Sequence, residues 1–362
     1  MVSKALVVGL YQRKLELLAA QGIDLLAITP AVWRDERGDT PLERLYTHGY
    51  ALETLPLANN GDFHLHFYRG LGARLRAFQP DLVHIDEEPY NLATWQCLVH
   101  ARRAGARGIA FTWQNLNRRY PPPFSWGERW ALGRLDGMQA GTESAADVWR
   151  SKGYQGPIDV TPQFGTDCTV FQPAPGRPER PFTIGYIGRL VEEKGIPVLL
   201  AACAALGGDW LLRIVGGGPL RDDLQEQASR LGMTGRVEFL PQIPSAEMPP
   251  QYHAIDVLAL PSLTRPNWKE QFGRVLVEAM ASGVPVVGSN SGAIPDVIGG
   301  SGLVVPEGDA SSLAEALRRL RDEPGLAANL AARGRERAVA EFTHERVAER
   351  TATFYQQVLQ EP

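Results

Sequence analysis

The stretch Glu270-Gln-Phe-Gly-Arg-Val-Leu-Val-Glu278-Ala-Met-Ala-Ser-Gly-Val-Pro decides how the rest of this chain is interpreted. An apolar run over 256–262 precedes it and another over 283–288 follows it, which predicts two buried strands. Residues 274–282 between them predict a short helix that is packed on several sides. Glu278 is anomalous there, because an unpartnered buried charge costs on the order of several kcal/mol. We therefore expect this carboxylate to have a binding partner.

Glu270 lies just before this helix, at the carboxyl end of the predicted strand, where open α/β sheets place their ligands. The amides of Gly273, Arg274 and Val275 form the predicted helix N-terminus, which favours an anion. Two carboxylates that can bind neutral hydroxyl groups beside an anion site indicate a sugar nucleotide as the ligand.

The same stretch resembles the E-x7-E signature of the family 4 retaining glycosyltransferases, also called glycosyl transferases group 1, with Glu270 and Glu278 as its two acids. The spacing of two glutamates is weak by itself, but the surrounding sixteen residues make the resemblance specific. It implies an α/β protein of the GT-B fold, in which two doubly wound Rossmann-like domains face each other across a cleft. It also implies a retaining hexosyltransferase in which Glu270 holds hydroxyls of the donor sugar and Glu278 holds the ribose.

The composition is that of a soluble globular protein. The 362 residues are enough for two domains, and 44% of them are hydrophobic and 22% charged. A net charge of −4 excludes nucleic-acid binding through bulk positive charge. Three cysteines without metal-like spacing predict reduced thiols and no metal site. Because the N-terminus enters an apolar strand pattern at once, we expect no signal peptide and a cytoplasmic location, at most peripheral to the inner face of the membrane.

Two series of alternating strands and helices predict two domains. The first domain, residues 1–170, opens with a strand over Leu6–Gly9, a helix over Lys14–Gln21 and a strand over Asp24–Thr29. Residues 31–49 predict a loop with a short edge hairpin. The further strands predicted in this domain are 80–85, 109–112, 137–140 and 158–161.

Four prolines within residues 171–181 predict a stiff connector to the second domain, residues 182–343. The strands predicted there are 182–187, 210–215, 237–240, 257–260 and 302–305, followed by helices over 326–340 and 345–359. The resemblance implies that the terminal helix, within residues 344–362, crosses back to the first domain.

Arg189 and Lys194 follow the first strand of the second domain, within Gly188-Arg-Leu-Val-Glu-Glu-Lys-Gly195. Two cations at a strand end beside a helix N-terminus suit a diphosphate. Taken alone they favour a solvated pair balanced by Glu192 and Glu193, but the E-x7-E stretch in the same domain favours phosphate binding. The resemblance assigns both to catalysis, as groups that stabilise the leaving pyrophosphate without a metal or another cofactor.

Gly216 and Gly217 follow the next predicted strand, within Val215-Gly-Gly-Gly-Pro219. The resemblance places them and Gly188 against the donor nucleotide, with Gln242 near the base. The fold class also permits an NAD(P)-dependent oxidoreductase, but G-G-G-P lacks the third glycine of G-x-G-x-x-G. A catalytically silent nucleotide-sugar-binding scaffold is the other alternative.

The first domain departs from the family pattern. Only Gly9 remains of the glycine-rich loop that many relatives carry after the first strand. Gln114 occupies the position of a family histidine, and a glutamine cannot exchange protons at neutral pH. Asp86 and Glu87, together with Glu88, end another predicted strand and are candidates for binding acceptor hydroxyls, although Asp86 could equally cap the turn that follows.

The stretch Trp113–Trp126 combines aromatic residues with arginines. This mixture suits sugar stacking or an anionic membrane surface, and equally a proline-stiffened loop whose aromatics fill the core. Its candidate acceptor-side residues are Trp113, Gln114, Asn115 and Arg118. The expected partners are a nucleotide-sugar donor, with a UDP- or GDP-sugar preferred, and a glycan, lipid-linked or small-molecule acceptor, as in polysaccharide biosynthesis.

Overall fold

The structure is a computed structural model that describes residues 1–35, 38–176 and 179–360. The chain divides into two compact units: residues 1–165 with the terminal segment from His344 form the first, and residues 166–343 form the second. The change of unit thus precedes the predicted connector. The predicted hairpin region, connector and terminal helix range each include two positions outside the described residues, namely 36 and 37, 177 and 178, and 361 and 362.

The first unit opens with 3-10 helices at Ala5–Val7 and Gly9–Gln12. Its strands are β1 (Leu26–Thr29), β2 (Val32–Asp35), β3 (Gly38–Pro41), β4 (Ala51–Thr54), β5 (Leu57–Ala58), β6 (Phe67–Tyr68), β7 (Leu82–Ile85), β8 (Arg107–Thr112), β9 (Gly137–Ala140) and β10 (Ile158–Val160). Its helices up to residue 165 are α1 (Arg13–Ala19), α2 (Leu71–Phe78), α3 (Leu92–Arg103), α4 (Phe124–Leu132) and α5 (Glu143–Ser151).

The main sheet of the first unit is parallel, in the order β4-β1, Val2, β7-β8-β9-β10. Val2 joins the two parts because it bridges Ile28 of β1 and Ile85 of β7. The prediction of a first strand over Leu6–Gly9 is therefore wrong, since the chain is already in 3-10 turns there. A short apolar run fits a buried turn as well as a strand, and Leu6 packs against α1 instead of joining the sheet.

The other strands predicted for this unit are confirmed. β7, β8, β9 and β10 overlap the predicted runs, and β2 and β3 pair antiparallel as the edge hairpin expected in 31–49. The sequence analysis missed β4, because its short run of mixed polar and apolar residues has no strand pattern.

The strands of the second unit are β11 (Phe182–Ile187), β12 (Trp210–Val215), β13 (Val237–Leu240), β14 (Val257–Leu260), β15 (Val286–Ser289) and β16 (Leu303–Val305). Its helices are α6 (Ile196–Ala204), α7 (Arg221–Arg230), α8 (Pro249–His253), α9 (Arg274–Ala281), α10 (Ile294–Ile298), α11 (Ala310–Asp322) and α12 (Pro324–Glu341), with 3-10 turns at Glu192–Lys194 and Ser245–Glu247.

These strands form one parallel sheet in the order β13-β12-β11-β14-β15-β16. The carboxyl ends of all its strands therefore lie at the same edge. The chain builds outward from β11 to β13 and then crosses to β14 on the other side of β11, so the strand order reverses between β11 and β14. Such a reversal is the point at which open α/β sheets bind ligands.

The last helix, α13 (His344–Gln360), belongs to the first unit. Its Ala348 and Val358 are fully buried in one apolar cluster with Leu15 and Leu18 of α1. The core of the first unit is thus completed by the last helix of the described chain.

Candidate active site

The carboxyl ends of β11 and β14 bring two of the predicted catalytic residues together. Glu270 lies on the loop after β14, is 6% exposed, and its Oε2 accepts a hydrogen bond from Lys194 Nζ at 2.6 Å. The same oxygen accepts one from Ser262 Oγ at 2.8 Å. Since β11 and β14 flank the reversal of strand order, this cluster occupies the expected position for a ligand.

A glycine allows the loops after β11 and β14 to approach. Lys194 ends the 3-10 turn after β11, and Gly195 then takes a left-handed conformation with a φ of 65°. A Cβ at Gly195 would lie 2.0 Å from the carbonyl oxygen of Pro261, so a larger residue would push the two loops apart. This contact holds Lys194 beside the loop that carries Glu270.

Trp268 extends the cluster. Its ring centroid lies 4.9 Å from Lys194 Nζ, which is close enough for a cation–π contact. The residue is half-buried, and two backbone hydrogen bonds with Arg265 fold its loop into a tight hairpin. The lysine ammonium is therefore held by a carboxylate on one side and an aromatic ring on another.

Glu278 finds its partners within the chain. It is 8% exposed on α9, and its Oε2 accepts a hydrogen bond from the Tyr252 hydroxyl at 2.6 Å. Its Oε1 lies 3.3 Å from Nε of Arg274, one helical turn earlier. Burial raises the pKa of Glu278, and Arg274 and the Tyr252 hydroxyl oppose that shift. The expected partner of this carboxylate is thus supplied by α8 and α9 themselves.

The N-terminus of α9 follows Glu270 closely. Gly273 precedes the helix in a left-handed conformation with a φ of 75°, and no side chain caps this end. Arg274 and Val275 form its first turn. The predicted anion-binding amides thus lie at a helix end whose N-cap residue is a glycine, with no side chain of its own to accept their hydrogen bonds.

Arg189 does not join this cluster. Its side chain is 65% exposed and lies 3.4 Å from Glu193, four residues later. Of the two cations, Arg189 alone therefore has the solvated state, balanced by Glu193, that the sequence also allowed.

The predicted nucleotide-binding glycines lie at the ends of β11 and β12. A Cβ at Gly216 would lie 1.9 Å from the carbonyl oxygen of Gly188, so these two loops touch through their backbones. Gly217 accepts a hydrogen bond from the Leu190 amide at 2.9 Å. Gln242 is exposed just beyond β13, the outermost strand on this side.

In the first unit, Asp86 and Glu87 are sealed by protein partners. Glu87 pairs with Lys4, and its Oε1 lies 3.3 Å from His66 Nε2. Burial opposes ionisation of Glu87, but Lys4 and His66 outweigh it and lower the pKa to about 2. Asp86 accepts hydrogen bonds from Ser3 at 2.5 Å and from the Gln163 amide at 2.7 Å, and burial raises its pKa.

Glu88 is the half-buried member of this acidic run. Its Oε2 accepts a hydrogen bond from Thr112 Oγ1 at 2.6 Å, and its Oε1 accepts one from the Trp113 amide at 2.8 Å. Burial raises the pKa of Glu88 to about 7, although both hydrogen bonds lower it.

The residues after β8 separate into buried and exposed groups. Gln114 and Asn115 are buried, and Gln114 donates to the carbonyl of Leu116 at 2.9 Å. Trp113 is half-buried and donates from its indole to Gln163 at 2.8 Å. Arg118 is exposed. Of the predicted acceptor-side residues on this loop, Trp113 and Arg118 are therefore the ones that present surface.

The aromatic residues near this loop pack on one another and remain partly exposed. Tyr90 and Tyr120 have ring centroids 4.5 Å apart, and the His64 ring lies within 5.7 Å of both. All three are half-buried. Trp126 on α4 is 61% exposed. Tyr120 of this stretch therefore belongs to an aromatic cluster, whereas Trp126 is exposed, and a role in acceptor or membrane binding stays a prediction.

Comparison with known proteins identifies the family. Residues 169–337 match the family model described as glycosyl transferases group 1, and residues 13–164 match the one described as glycosyltransferase family 4. The chain belongs to the family 4 glycosyltransferases. Its fold is GT-B.

Two curated relatives illustrate the likeness. It is 33% identical over 252 residues to a 2-deoxystreptamine glucosyltransferase from Streptomyces kanamyceticus, which covers 64% of this chain and 63% of the relative. It is 36% identical over 192 residues to a GDP-mannose-dependent alpha-(1-6)-phosphatidylinositol monomannoside mannosyltransferase from Mycolicibacterium smegmatis, covering 48% of this chain and 50% of the relative. The chain thus spans less than two thirds of the length of each.

A solved structure shares the fold over the whole chain. A glycosyltransferase from Rickettsia africae aligns with a TM-score of 0.76 and 17% identity, covering 100% of this chain and 98% of the other.

The described residues form neither a membrane-spanning helix nor a metal cluster. None of the helices within 1–35, 38–176 and 179–360 is both long and apolar enough to cross a membrane. The same ranges contain no group of three or more His, Cys, Asp or Glu side chains that could hold a metal ion.

The sequence analysis missed several residues of the site. Ser262 and Trp268 both precede Glu270 within a few residues, and a tryptophan two residues before a signature acid was a visible feature. Tyr252 could not be found in this way, because its contact with Glu278 spans 26 positions of the chain.

Proposed function

We propose that this family 4 glycosyltransferase moves a sugar from a nucleotide-sugar donor to an acceptor hydroxyl with retention of the anomeric configuration. The observation that carries the proposal is the cluster of Lys194, Glu270 and Ser262 beside the N-terminus of α9. It combines a cation and helix amides for phosphate with a carboxylate for sugar hydroxyls. A UDP- or GDP-sugar is the preferred donor, and one relative is named as GDP-mannose-dependent.

In this proposal the donor diphosphate lies at Lys194 and the amides of 273–275, and Arg189 swings in from solvent. Glu270 exchanges part of its contact with Lys194 for hydroxyls of the donor sugar, and so orients C1. Glu278, already held by Tyr252, accepts hydrogen bonds from the ribose. These roles follow the family resemblance, and the distances above support the first two.

In the transfer step, C1 exchanges one oxygen for another and a proton moves from the acceptor to the leaving group. The bond from C1 to the phosphate oxygen breaks, and the nucleoside diphosphate carries away the electron pair. The acceptor oxygen bonds to C1 from the same face, and its proton passes to the departing phosphate. Lys194, Arg189 and the helix amides stabilise the charge that develops there, so we propose that no metal is required.

The acceptor is proposed to be a glycan, a lipid-linked sugar or a small molecule with hydroxyl groups. Trp126 and Arg129 are exposed on α4, and Arg118 and Arg119 are exposed on the loop before it. An indole with cations suits the interface of an anionic membrane, so we propose peripheral contact with the cytoplasmic leaflet. Binding to vesicles with phosphatidylserine should then weaken as salt rises, and Arg118→Ala/Arg119→Ala should weaken it further.

Thermal stabilisation by nucleotide sugars tests the proposed function. A donor present at about 100 times its dissociation constant adds roughly 2.7 kcal/mol to the free energy of unfolding, which raises the melting temperature. The donor that stabilises the protein is then offered with hydroxyl acceptors, and NMR of the product reports the anomeric configuration. Stabilisation by NAD(P) instead, or an inverted product, would contradict the proposal. Donor binding without either transfer or hydrolysis would indicate a silent scaffold.

A further inference from the structure

We propose that Glu88 binds the acceptor in the first unit, through two adjacent hydroxyl groups of a sugar or cyclitol. This inference rests on the proposed function, because it names the class of acceptor for that transfer. Glu88 follows β7 at the carboxyl edge of the parallel sheet, next to two acids that are already enclosed. Asp86 is held by Ser3 and Gln163, and Glu87 by Lys4 and His66.

The hydrogen-bonding capacity of Glu88 is half used. Thr112 Oγ1 accepts hydrogen bonds from the Trp149 indole at 2.8 Å and from the backbone N–H of Gln114 at 3.0 Å. The hydroxyl proton of Thr112 is therefore donated to Glu88 Oε2. The Trp113 amide occupies one site on Oε1. A carboxylate oxygen can accept about two hydrogen bonds, which leaves about one site on each oxygen.

Two neighbouring acceptor sites on one carboxylate match two neighbouring hydroxyl donors. A vicinal diol presents its O–H groups side by side, so it can bind both oxygens at once. A single alcohol can use only one of them. Thr112 and Trp113 fix the carboxylate in orientation from the protein side, so its two remaining sites are preset for such a pair.

The surroundings suit a ring that carries such a diol. Tyr90 and Tyr120 form a pair of aromatic rings near Glu88, and His64 lies beside them. These half-buried aromatic residues can contact the C–H groups of a saturated ring, while the diol points to the carboxylate. The combination favours a cyclic polyol over a linear alcohol.

The charge of Glu88 adds a pH dependence to this binding. Lys4, in the segment after Val2, and Glu87, on the same loop, are the charged groups near the Glu88 carboxylate. Tyr90 also lies close to it. Thr112 and Trp113 contact it from the end of β8. Burial raises its pKa to about 7, so the carboxylate is ionised above that pH. Because the ionised form accepts from both hydroxyls, diol affinity should rise as the pH is raised through 7.

The full-length protein labelled with 15N-tryptophan provides a direct test. The chain contains eight tryptophans, and Trp113→Phe assigns the amide that donates to Glu88. In the wild type this amide should titrate with a midpoint near pH 7, and myo-inositol should shift it more at pH 8 than at pH 6. Cyclohexanol, which has one hydroxyl, should shift it far less. This measurement needs no Glu88 variant, so it remains informative if such variants fold poorly.

Variants then separate binding from a structural role. Glu88→Gln should abolish the titration and weaken the myo-inositol response by roughly 10- to 100-fold, the usual effect of losing hydrogen bonds to a charged group. Glu143→Gln, an exposed glutamate of the same unit, should behave as wild type. Donor binding, seen as stabilisation by a nucleotide sugar, should be unchanged in Glu88→Gln.

The outcomes are distinct. Equal responses to myo-inositol and cyclohexanol, no response to either, or an unchanged myo-inositol response in Glu88→Gln would overturn the role of Glu88. Absence of donor binding in the wild type would instead overturn the proposed function, whatever the diol titration shows.

Discussion

The two units both carry glutamates at the carboxyl edge of a parallel sheet, but they surround them differently. In the second unit, the Glu270 side chain keeps 8% of its surface exposed and is held by a lysine and a serine from neighbouring loops. In the first, Glu87 is fully enclosed by Lys4 and His66. A ligand can replace a lysine contact beside the N-terminus of α9, whereas it cannot reach a sealed carboxylate. The same residue type at the same kind of edge is therefore within reach of a ligand at Glu270 and enclosed at Glu87.

Substituting Glu270 should have the largest effect. Glu270→Ala removes the carboxylate that orients the donor sugar, and we expect transfer to fall by about 10³-fold or more with the fold retained. Turnover of a nucleotide sugar under saturating donor measures this. Wild-type turnover in Glu270→Ala would show that Glu270 does not orient the donor sugar, and the comparison with Glu87 would fail. Circular dichroism of the variant provides the control for folding.

Lys194 and Arg189 should differ in their contributions. Lys194 contacts Glu270 in the structure, so Lys194→Ala should lower kcat by roughly 10²- to 10³-fold, as expected for one electrostatic stabiliser. Arg189→Ala should lower it by about tenfold, because this exposed side chain must first reorient. Steady-state rates with one donor compare the pair. An equal or larger loss in Arg189→Ala would show that the guanidinium is the main phosphate ligand.

Glu87 should affect stability and leave donor binding intact. Glu87→Gln breaks a buried ion pair, and we expect it to lower the free energy of unfolding of the first unit by on the order of 3 kcal/mol at pH 7. The pKa of Glu87 is about 2 in the folded protein against 4.5 ordinarily, so the folded state holds fewer protons. Its stabilising contribution is therefore complete above pH 4.5 and is lost as the pH falls towards 2.

Chemical denaturation of wild type and Glu87→Gln at several pH values measures this difference. It should shrink below pH 4.5, and Glu143→Gln should show no comparable loss. A constant difference down to pH 3 would contradict the assigned ion pair. Weaker donor binding in Glu87→Gln would contradict the separation of the two edges.

Glu278 should have a smaller effect than Glu270. Glu278→Ala removes a contact to a remote part of the donor, so the donor KM should rise by about tenfold with kcat nearly unchanged. Because Tyr252 would lose its partner, Tyr252→Phe is the matched variant: it keeps the carboxylate and should raise KM less. A fall in kcat without a change in KM would place Glu278 at the reacting sugar instead.

Chelation should have the smallest effect. If Lys194, Arg189 and the helix amides neutralise the leaving phosphate, excess EDTA should leave the transfer rate unchanged. Loss of activity that Mg²⁺ or Mn²⁺ restores would disprove the metal-free proposal. It would add a metal ion to the groups at the sheet edge of the second unit.

Much of the fold could be predicted from the sequence because buried parallel strands are continuous apolar runs. β11, β12, β13 and β14 begin and end at the predicted residues, since polar or turn-forming residues flank each run. The prediction of a strand over Leu6–Gly9 rested on the same kind of apolar run, but it was wrong. Its apolar run is as short, and only the packing of Leu6 against α1 decides between strand and turn.

The candidate site was predictable in position but not in its contacts. The motif spacing placed Glu270, Lys194 and the α9 N-terminus at one edge, and the structure joins Glu270 to Lys194 there. Exposure could not be predicted, because it depends on partners distant in sequence. Glu87 is sealed by Lys4 and His66, whereas its neighbour Glu88 keeps surface, and nothing local distinguishes them.

The place of α13 in the first unit has a consequence for biosynthesis. Leu15 and Leu18 are made early, but the helix that buries them is translated only after all of residues 166–343. At about 5–20 residues per second, that delay is roughly 10 to 40 seconds. During this interval the nascent first unit exposes an apolar face on the ribosome, while the second unit, which is continuous in sequence, can already fold. We therefore expect the order of folding to run against the order of synthesis, with the early-made unit dependent on chaperones until α13 emerges.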